Sequence, residues 1–256
     1  MAEQAIQESP FKALVVALSV ALVCALVVSI AAVQLRPYYL ANLEAERLAR
    51  LDAILVSLRD SGGDIDFQDL EARVVDLNTG DYLDNLNPAT HDARKLARDP
   101  ATSTAVSAEH DLAGIKRREN QSVVYLLRGS DDSINAVILP VWGVGYQSAL
   151  YGYLALEGGL DRILAFKVYE QGETAGLGSR VQDPAWEAQW PGKPAFDQSG
   201  RVAIHVGKQP DGDRTARVDG ISGATRTSLG VNGMVRFWLG KHGFGPYLER
   251  IRQGEG

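Results

Sequence analysis

The sequence predicts an α+β protein in which one N-terminal transmembrane helix precedes a domain with a central antiparallel sheet and flanking helices. Three observations support this fold class. An apolar run lies near the N-terminus, leucines recur at helical spacing directly after it, and short segments rich in β-forming residues follow from residue 121 onward. The chain has 256 residues, which suffices for one anchored domain of ordinary size.

The predicted membrane helix rests on residues 13–33, an apolar run in which Ser19 and Ser29 are the only polar residues. As a helix, this run would be about 31 Å long, which matches the hydrocarbon thickness of a bilayer. A cleaved signal peptide is the alternative, because small residues around Ser29 resemble a cleavage site. The run is longer than the apolar core of such peptides, so we expect a retained anchor at 13–35 after a short segment, 1–12.

Residues 36–62 are predicted to form an amphipathic stalk helix that packs on the domain. Apolar residues recur there at spacings of three and four: Leu40, Leu43, Leu48, Leu51, Ile54, Leu55 and Leu58. Gly62 and Gly63 would end the helix. The domain itself is then expected over residues 63–256.

The domain is predicted to consist mainly of strands joined by turns. Val, Ile, Leu and Tyr concentrate at 73–77, 82–83, 122–128, 133–141, 150–157, 162–169 and 202–206. Helices are expected at 89–98, at 183–190 and, as the last element, at about 229–239. Asp183 and Pro184 have the residue types of an N-cap and of a first helical position.

The composition excludes several classes of function. The net charge is −6 and Lys and Arg form no cluster, so nucleic acid is not an expected partner. Cys24 is the only cysteine and the four histidines lack ligand spacing, so neither a disulfide nor a protein-held metal site is expected. The chain also lacks a Gly-x-Gly-x-x-Gly fingerprint with an acidic partner, so we do not expect it to bind NADH.

The segment that says most about chemistry is 219–228, which reads Asp-Gly-Ile-Ser-Gly-Ala-Thr-Arg-Thr-Ser. Its small residues let the backbone approach a bulky group, and the free N–H groups and dipole of a following helix would favour a phosphate. The alternative is an ordinary helix cap, with Thr227 or Ser228 as the N-cap residue.

This segment resembles the flavinylation motif of the FMN-binding domain family, in which Asp precedes Ser or Thr, then Gly, Ala and a final Thr or Ser. The resemblance implies that FMN is linked through its phosphate to Thr225 by a flavin transferase that takes FMN from FAD. It places four residues beside the phosphate: Ser222, Gly223, Ala224 and Thr227. It also implies that Asp219 orients the acceptor loop or the transferase's metal, with capping as the alternative.

Two further segments are similar to the C subunits of the sodium-translocating NADH:quinone reductases. They are 139–152, which begins Leu-Pro-Val-Trp-Gly-Val-Gly-Tyr, and 169–178, which reads Tyr-Glu-Gln-Gly-Glu-Thr-Ala-Gly-Leu-Gly. Ala175 departs from the proline expected in that family. The resemblance implies that the second segment meets the isoalloxazine ring and the ribityl chain through Glu173, Thr174, Gly176, Leu177 and Gly178.

Two single residues complete the expected site. Trp142 is a candidate for an aromatic contact with the flavin, and the alternative is a plain core position beside a strand. Lys208 is a candidate to face the phosphate or the ring, and the alternative is a solvated surface charge.

The resemblance implies an electron-transfer subunit that relays single electrons through covalent FMN, in the path from NADH to ubiquinone that drives sodium across a membrane. The flavin carries the redox chemistry, so no catalytic side chain is expected, and the chain alone would not be a complete enzyme. Expected partners are the other subunits, the flavin transferase and the lipid bilayer. The expected location is the bacterial inner membrane, with residues 1–12 cytoplasmic and the C-terminal domain periplasmic.

Two alternatives stay open at this point. The G subunit of the homologous ferredoxin:NAD oxidoreductase complex shares the anchor and the acceptor motif. A membrane-anchored sensor or binding domain without a redox role has the same coarse pattern of elements, but it would carry no covalent flavin.

Overall fold

A computed structural model describes residues 10–60, 70–129, 131–207 and 214–254 of the chain. By its internal contacts the chain divides into two compact units, Met1–Arg47 and Leu48–Gly256. Lys208 lies outside the described residues, so the expectation for this side chain stays a prediction.

The first unit is helical throughout its described part and belongs to α1 (Pro10–Asp60). Within α1, Leu14–Leu35 covers 22 residues with a mean hydropathy of 2.9 and has no buried residue. These are the length and composition of a helix that crosses a membrane. The hydroxyl of Ser19 donates a hydrogen bond to the carbonyl oxygen of Val15 (2.8 Å), which satisfies it within the helix, as a polar group in lipid requires.

The second unit is built on a five-stranded antiparallel sheet, as the predicted fold class requires. The strands of this unit are β1 (Leu70–Asp76), β2 (Ser103–Ala105), β3 (Arg117–Glu119), β4 (Gln121–Arg128), β5 (Ile134–Val144), β6 (Ala149–Glu157), β7 (Ile163–Glu170), β8 (His205–Val206) and β9 (Arg217–Val218). The main sheet has the order β1-β4-β5-β6-β7, while β2 pairs with β3 and β8 pairs with β9. The helices that accompany these strands are α2 (Ala93–Arg98), α3 (Pro184–Glu187), α4 (Thr225–Leu239) and α5 (Gly245–Arg252).

Both faces of the main sheet are buried. Side chains alternate between the two faces along each strand, so neighbouring residues of one strand belong to different cores. On β5, Leu139 and Val141 belong to the core that contains Met234 of α4. Ile138, next to Leu139 on the same strand, belongs to a second core on the opposite face. That second core contains four apolar side chains from the end of α1: Leu51, Ile54, Leu55 and Leu58.

Two glycines fix α4 at the end of β5. A Cβ atom at Gly233 would lie 1.9 Å from the carbonyl oxygen of Leu112, and one at Gly230 would lie 2.4 Å from that of Val144. No side chain fits at either position unless the backbone moves. The approach holds the first turn of α4 beside the turn that follows β5, and the functional residues described below lie there.

The prediction of the last helix was wrong in two respects. The helix expected at 229–239 begins earlier, at Thr225, and α5 follows it. The start was misplaced because Thr227 and Ser228 have the residue types of an N-cap, whereas the N-cap is Ala224 and makes no side-chain hydrogen bond. The helix at 229–239 was also expected to be the last element, although α5 begins at Gly245 with a proline in its first turn.

Candidate functional site

The acceptor loop is the segment 219–224, which leads into α4. Gly223 has a φ of +80°, a conformation that glycine adopts without strain, and it turns the chain into the helix. Within the described part of the chain, no acceptor is found for the N–H groups of Thr225, Arg226 and Thr227, which form the first turn of α4. Those of Ser222 and Gly223 are likewise without an acceptor there. The loop therefore presents a set of free donors.

Two threonine hydroxyls lie in this first turn, and their surroundings differ. Thr225 is exposed, and among the described residues its side chain makes no hydrogen bond. Thr227 is 2% exposed, and its hydroxyl donates to Oε2 of Glu173 at 2.6 Å. Of these two hydroxyls, only that of Thr225 is thus free to react with a group that arrives from solvent.

Ser228 fixes the shape of the acceptor loop. Its hydroxyl accepts a hydrogen bond from the N–H of Ile221 (2.9 Å) and donates one to the carbonyl oxygen of Ala224 (3.0 Å). Sequence reasoning gave this hydroxyl only the alternative of a helix cap. Its position three residues after Thr225 was the available signal, but the bond to Ile221 depends on the folded loop.

The backbone of Asp219 is held by the segment around α3. Its N–H donates to the side-chain oxygen of Gln189 (2.9 Å), and its carbonyl oxygen accepts from the indole of Trp186 (2.8 Å). The carboxylate is exposed and pairs with Arg217 at 3.1 Å. Asp219 therefore anchors the loop through its backbone, and the segment 183–190 is part of the scaffold of the site.

Glu173 connects the two loops of the site. Its side chain is 8% exposed, and its carboxylate accepts from the N–H groups of the turn at 146–148, from the Ser148 hydroxyl and from Thr227. Burial raises the pKa of this carboxyl, but the bonds from Thr227 and from the turn outweigh burial and hold the pKa below its ordinary value. Glu173 therefore stays ionised and links the turn at 146–148 to α4 by hydrogen bonds.

Two glycines leave room for this buried carboxylate. A Cβ atom at Gly178 would lie 2.7 Å from both Oε2 of Glu173 and Oγ1 of Thr227. One at Gly145 would lie 2.7 Å from Oε1 of Glu173. The hydrogen bond between Glu173 and Thr227 thus requires glycine at position 178.

The segment 174–179 forms a tight turn beside the acceptor loop. The carbonyl oxygen of Thr174 accepts from the N–H groups of Leu177 (3.1 Å) and Ser179 (3.2 Å), and Gly176 has a φ of +73°. Leu177 is exposed, and its Cδ2 lies 3.2 Å from where a Cβ of Gly223 would be. The structure therefore brings together the two segments that the sequence singled out.

Tyr146 belongs to the surface formed by the acceptor loop and the turn at 174–179, which is called the acceptor surface below. Sequence reasoning did not assign this residue to the site. Its ring is exposed, and the guanidinium of Arg226 lies 5.2 Å from the ring centre. Its N–H is one of those bonded to Glu173. The resemblance of the segment 139–152, which contains Tyr146, to the family was the available signal.

Trp142 is not brought together with Thr225. Its indole N–H donates to Oε2 of Glu119 (3.3 Å), and its carbonyl oxygen accepts from the indole of Trp238 (2.7 Å). Trp238 lies near the far end of α4, about 20 Å along the helix axis from Thr225. The structure therefore places Trp142 in an aromatic cluster away from the acceptor loop.

The acceptor surface fits a phosphorylated flavin. It combines a free hydroxyl, unpaired backbone N–H groups that suit a phosphate, and the exposed side chains of Leu177 and Tyr146, which suit a flat apolar ring. The exposed cation of Arg226 adds positive charge beside the same hydroxyl.

Comparisons with known proteins find an FMN-binding family over the part of the chain that contains the acceptor loop. The family model described as FMN-binding domain matches residues 145–240, which include both loops. The C subunit of the Na(+)-translocating NADH-quinone reductase of Vibrio vulnificus is 45% identical over 249 residues, which cover 95% of this chain and 96% of that protein. The corresponding C subunit of Pseudomonas aeruginosa is 42% identical over 258 residues, which cover 97% and 98%.

A solved structure supports the same relationship. The crystal structure of NqrC from Shewanella oneidensis matches with a TM-score of 0.66 and 34% identity, over 73% of this chain and 85% of that one. The identities and the near-complete coverage leave one assignment. The chain belongs to the family of C subunits of the Na(+)-translocating NADH-quinone reductases.

Proposed function

We propose that this chain is the electron-transfer subunit of a sodium-pumping NADH:ubiquinone reductase and carries FMN as a phosphoester on Thr225. The observation that carries the proposal is the contrast between the two threonines of α4. The Thr225 hydroxyl is exposed and unbonded among the described residues, whereas that of Thr227 is buried on Glu173. The family model for FMN binding covers this turn.

The attachment assigns a part to each element of the acceptor surface. Thr225 provides the ester oxygen, and the free N–H groups of the acceptor loop and of the first turn of α4 hold the phosphate, without that of Ala224, which bonds to Ile221. Leu177 and Tyr146 provide apolar surface for the ring, and Glu173 and Ser228 keep the two loops in register. When bound, FMN would supply the one-electron redox chemistry of the relay.

The proposed role is a single-electron relay between partner subunits. The relatives are named for the translocation of Na+ and for NADH-quinone reductase activity. This chain has no dinucleotide fingerprint, and its described part holds one helix suited to crossing a membrane. NADH oxidation and the sodium path are therefore assigned to other subunits.

The proposed location is the bacterial inner membrane. Residues 1–12 would be cytoplasmic, 13–35 would cross the bilayer, 36–62 would form the stalk and 63–256 would form a periplasmic domain. The flavin transferase would then meet the acceptor loop on the periplasmic side. The apolar stretch Leu14–Leu35 supports the membrane span.

In-gel flavin fluorescence after SDS denaturation tests the attachment. The full chain is co-expressed with an active flavin transferase as wild type, Thr225→Val, Thr225→Ser and Thr227→Val. We expect fluorescent bands for wild type and for Thr227→Val, because Thr227 is not the acceptor. We expect a dark band for Thr225→Val, and a fluorescent one for Thr225→Ser if the transferase accepts a serine hydroxyl.

The stability of the unloaded chains serves as the control. Thr225 is exposed and unbonded, so Thr225→Val should unfold at the same temperature as wild type in the absence of the transferase. A fluorescent Thr225→Val band would move the linkage elsewhere. A dark wild type despite active transferase would contradict the redox role and support the anchored sensor domain.

A further inference from the structure

A cavity of about 400 Å³ lies beyond the C-terminal end of α4. The ionisable side chains that line it are cationic or can become so: Arg118, His110, Lys241 and His242. Thr104 and Ser107 add hydroxyls, and no carboxylate is among the lining residues. In a chain with a net charge of −6, this local excess of positive charge is unusual.

Arg118 forms the base of this cavity. It is 5% exposed, and its guanidinium donates to the carbonyl oxygens of Leu77 (3.3 Å) and His242 (2.8 Å) and to Oδ1 of Asn78 (2.5 Å). It forms no ion pair with any carboxylate of the described residues. The carboxylates of Glu119 and Asp76 attract this buried cation without forming an ion pair with it, so an anion in the cavity would add to the compensation of its charge.

The pKa of Arg118 is consistent with that environment. Burial lowers the pKa of the guanidinium, and attraction from Glu119 and Asp76 offsets the effect only in part. The group nevertheless stays charged at neutral pH, because an arginine pKa starts far above it.

The two histidines supply further donors at the rim. Their rings stack at 4.4 Å between centres, and a ring nitrogen of His110 lies 2.9 Å from the hydroxyl of Ser107. Nε2 of His242 is buried and has no hydrogen-bond partner. Burial and then the nearby charges of His110, Lys241 and Arg118 lower the pKa of His242. An anion in the cavity would relieve this repulsion.

Donors offset part of the negative charge at the end of α4. The carbonyl oxygen of Trp238 accepts from the N–H of Phe244, and that of Gly240 accepts from the N–H groups of Gly243 and Gly245. Arg118 donates a hydrogen bond to the carbonyl oxygen of His242. An anion in the cavity would therefore meet a partly neutralised helix terminus.

We propose that this cavity binds the phosphate group of a small phosphorylated ligand or free phosphate. Phosphate is the anion that best uses a guanidinium, an ammonium, an imidazole and hydroxyls around one centre, because its oxygens accept several charge-assisted hydrogen bonds at once. The cavity lies beyond the far end of α4, which is about 21 Å long from Thr225 to Leu239, so it is separate from the proposed flavin attachment and does not depend on it.

Equilibrium dialysis of the full chain in nonionic detergent against radiolabelled inorganic phosphate tests the proposal. The variants are Lys241→Gln and His242→Gln, neither of which removes a side-chain hydrogen bond found within the described fold. Lys95→Gln is the matched control, because it removes the same charge from an exposed side chain outside the cavity. We expect saturable binding by wild type and by Lys95→Gln, weakened roughly tenfold in the two cavity variants.

Competition identifies the source of the phosphate group. Displacement by glycerol 3-phosphate would indicate a soluble phosphate ester, and displacement only by phosphatidylglycerol in mixed micelles would indicate a lipid headgroup; either result supports the site. Absent phosphate binding, or equal binding by wild type and both cavity variants, would overturn the proposal and leave Arg118 as a residue that binds backbone carbonyls.

Discussion

Two buried glutamates in different regions of the domain have pKa values that are shifted in opposite directions. Glu173, between the two loops of the acceptor surface, is 8% exposed, and Glu119, on β3, is 1% exposed. Burial raises the pKa of both carboxyls. At Glu173 the hydrogen bonds from Thr227 and the 146–148 turn outweigh burial, so the pKa lies below its ordinary value. At Glu119 burial dominates and raises the pKa to about 7.

The difference shows that donors and depth together decide whether a buried carboxyl is charged, because Glu119 is the more deeply buried of the two and has fewer donors. Glu119 accepts from the indole of Trp142, and the attraction of Arg118 helps only in part. Glu173 has three backbone N–H groups and two hydroxyls aimed at its two oxygens. The region of the acceptor loop therefore holds a fixed charge, and the β3 region holds a titrating one.

The largest expected effect comes from Glu119→Gln. The folded carboxyl binds its proton up to about pH 7, whereas the unfolded one loses it near 4.5, so wild-type stability falls as pH rises through this window. The loss is about 3 kcal/mol above pH 7, and glutamine avoids it because it never ionises. Urea unfolding of the full chain in nonionic detergent at pH 4.5 and pH 8 measures it.

The control for this prediction is Glu109→Gln, at an exposed carboxyl. It should follow the wild-type dependence on pH. Parallel curves for Glu119→Gln and wild type would show that the buried carboxyl does not titrate in that range.

The opposite pH dependence is expected for Glu173→Gln. Because the folded pKa is lowered, the contribution of Glu173 is present above the unfolded pKa and is lost as pH falls through the folded value. Glutamine removes the charge and turns an amide toward donors, so we expect a loss of about 2 kcal/mol at pH 7. The difference in unfolding free energy between the variant and wild type should disappear in acid. At pH 7 the variant should also show faster amide exchange at Tyr146, Gln147 and Ser148. An equal loss of unfolding free energy at all pH values would show that the variant disturbs packing and that the charge of Glu173 does not contribute.

The smallest effect is expected for Thr227→Val, which removes one donor from Glu173 and keeps the volume. We expect a loss of about 1 kcal/mol and a rise in the pKa of Glu173 toward its ordinary value. A titration of the Glu173 carboxyl by NMR, in the wild-type and variant chains, measures the shift directly. Thr225→Val is the matched control and should leave the titration unchanged.

Local pattern predicted most of the sheet, because the strands β4 to β7 are dense in Val, Ile and Leu and are separated by turn residues. It failed where a side chain's role depends on a distant partner. The hydroxyls of Thr227 and Ser228 resembled caps, but their partners are Glu173 and the loop residue Ile221. The sequence could not decide whether Trp142 lies near the acceptor loop or in the core, since its indole partner, Glu119, comes from another strand.

The roles of the acceptor-surface residues were predicted from the resemblance rather than from physics. Leu177 and Gly223 are far apart along the chain, and only the fold makes them neighbours. Tyr146 was missed because its exposure and its contact with Arg226 follow from the way in which α4 docks beside the end of β5.

The exposed position of Thr225 has a consequence for how the cell fills the protein. The side chain takes no part in the described core, so the domain can fold first and receive its cofactor later. If FMN is attached there as proposed, it has no dissociation equilibrium, and the loaded fraction would follow the supply of transferase and FAD and not the level of free FMN. A chain without FMN would then be a folded substrate of the transferase and not a misfolded protein.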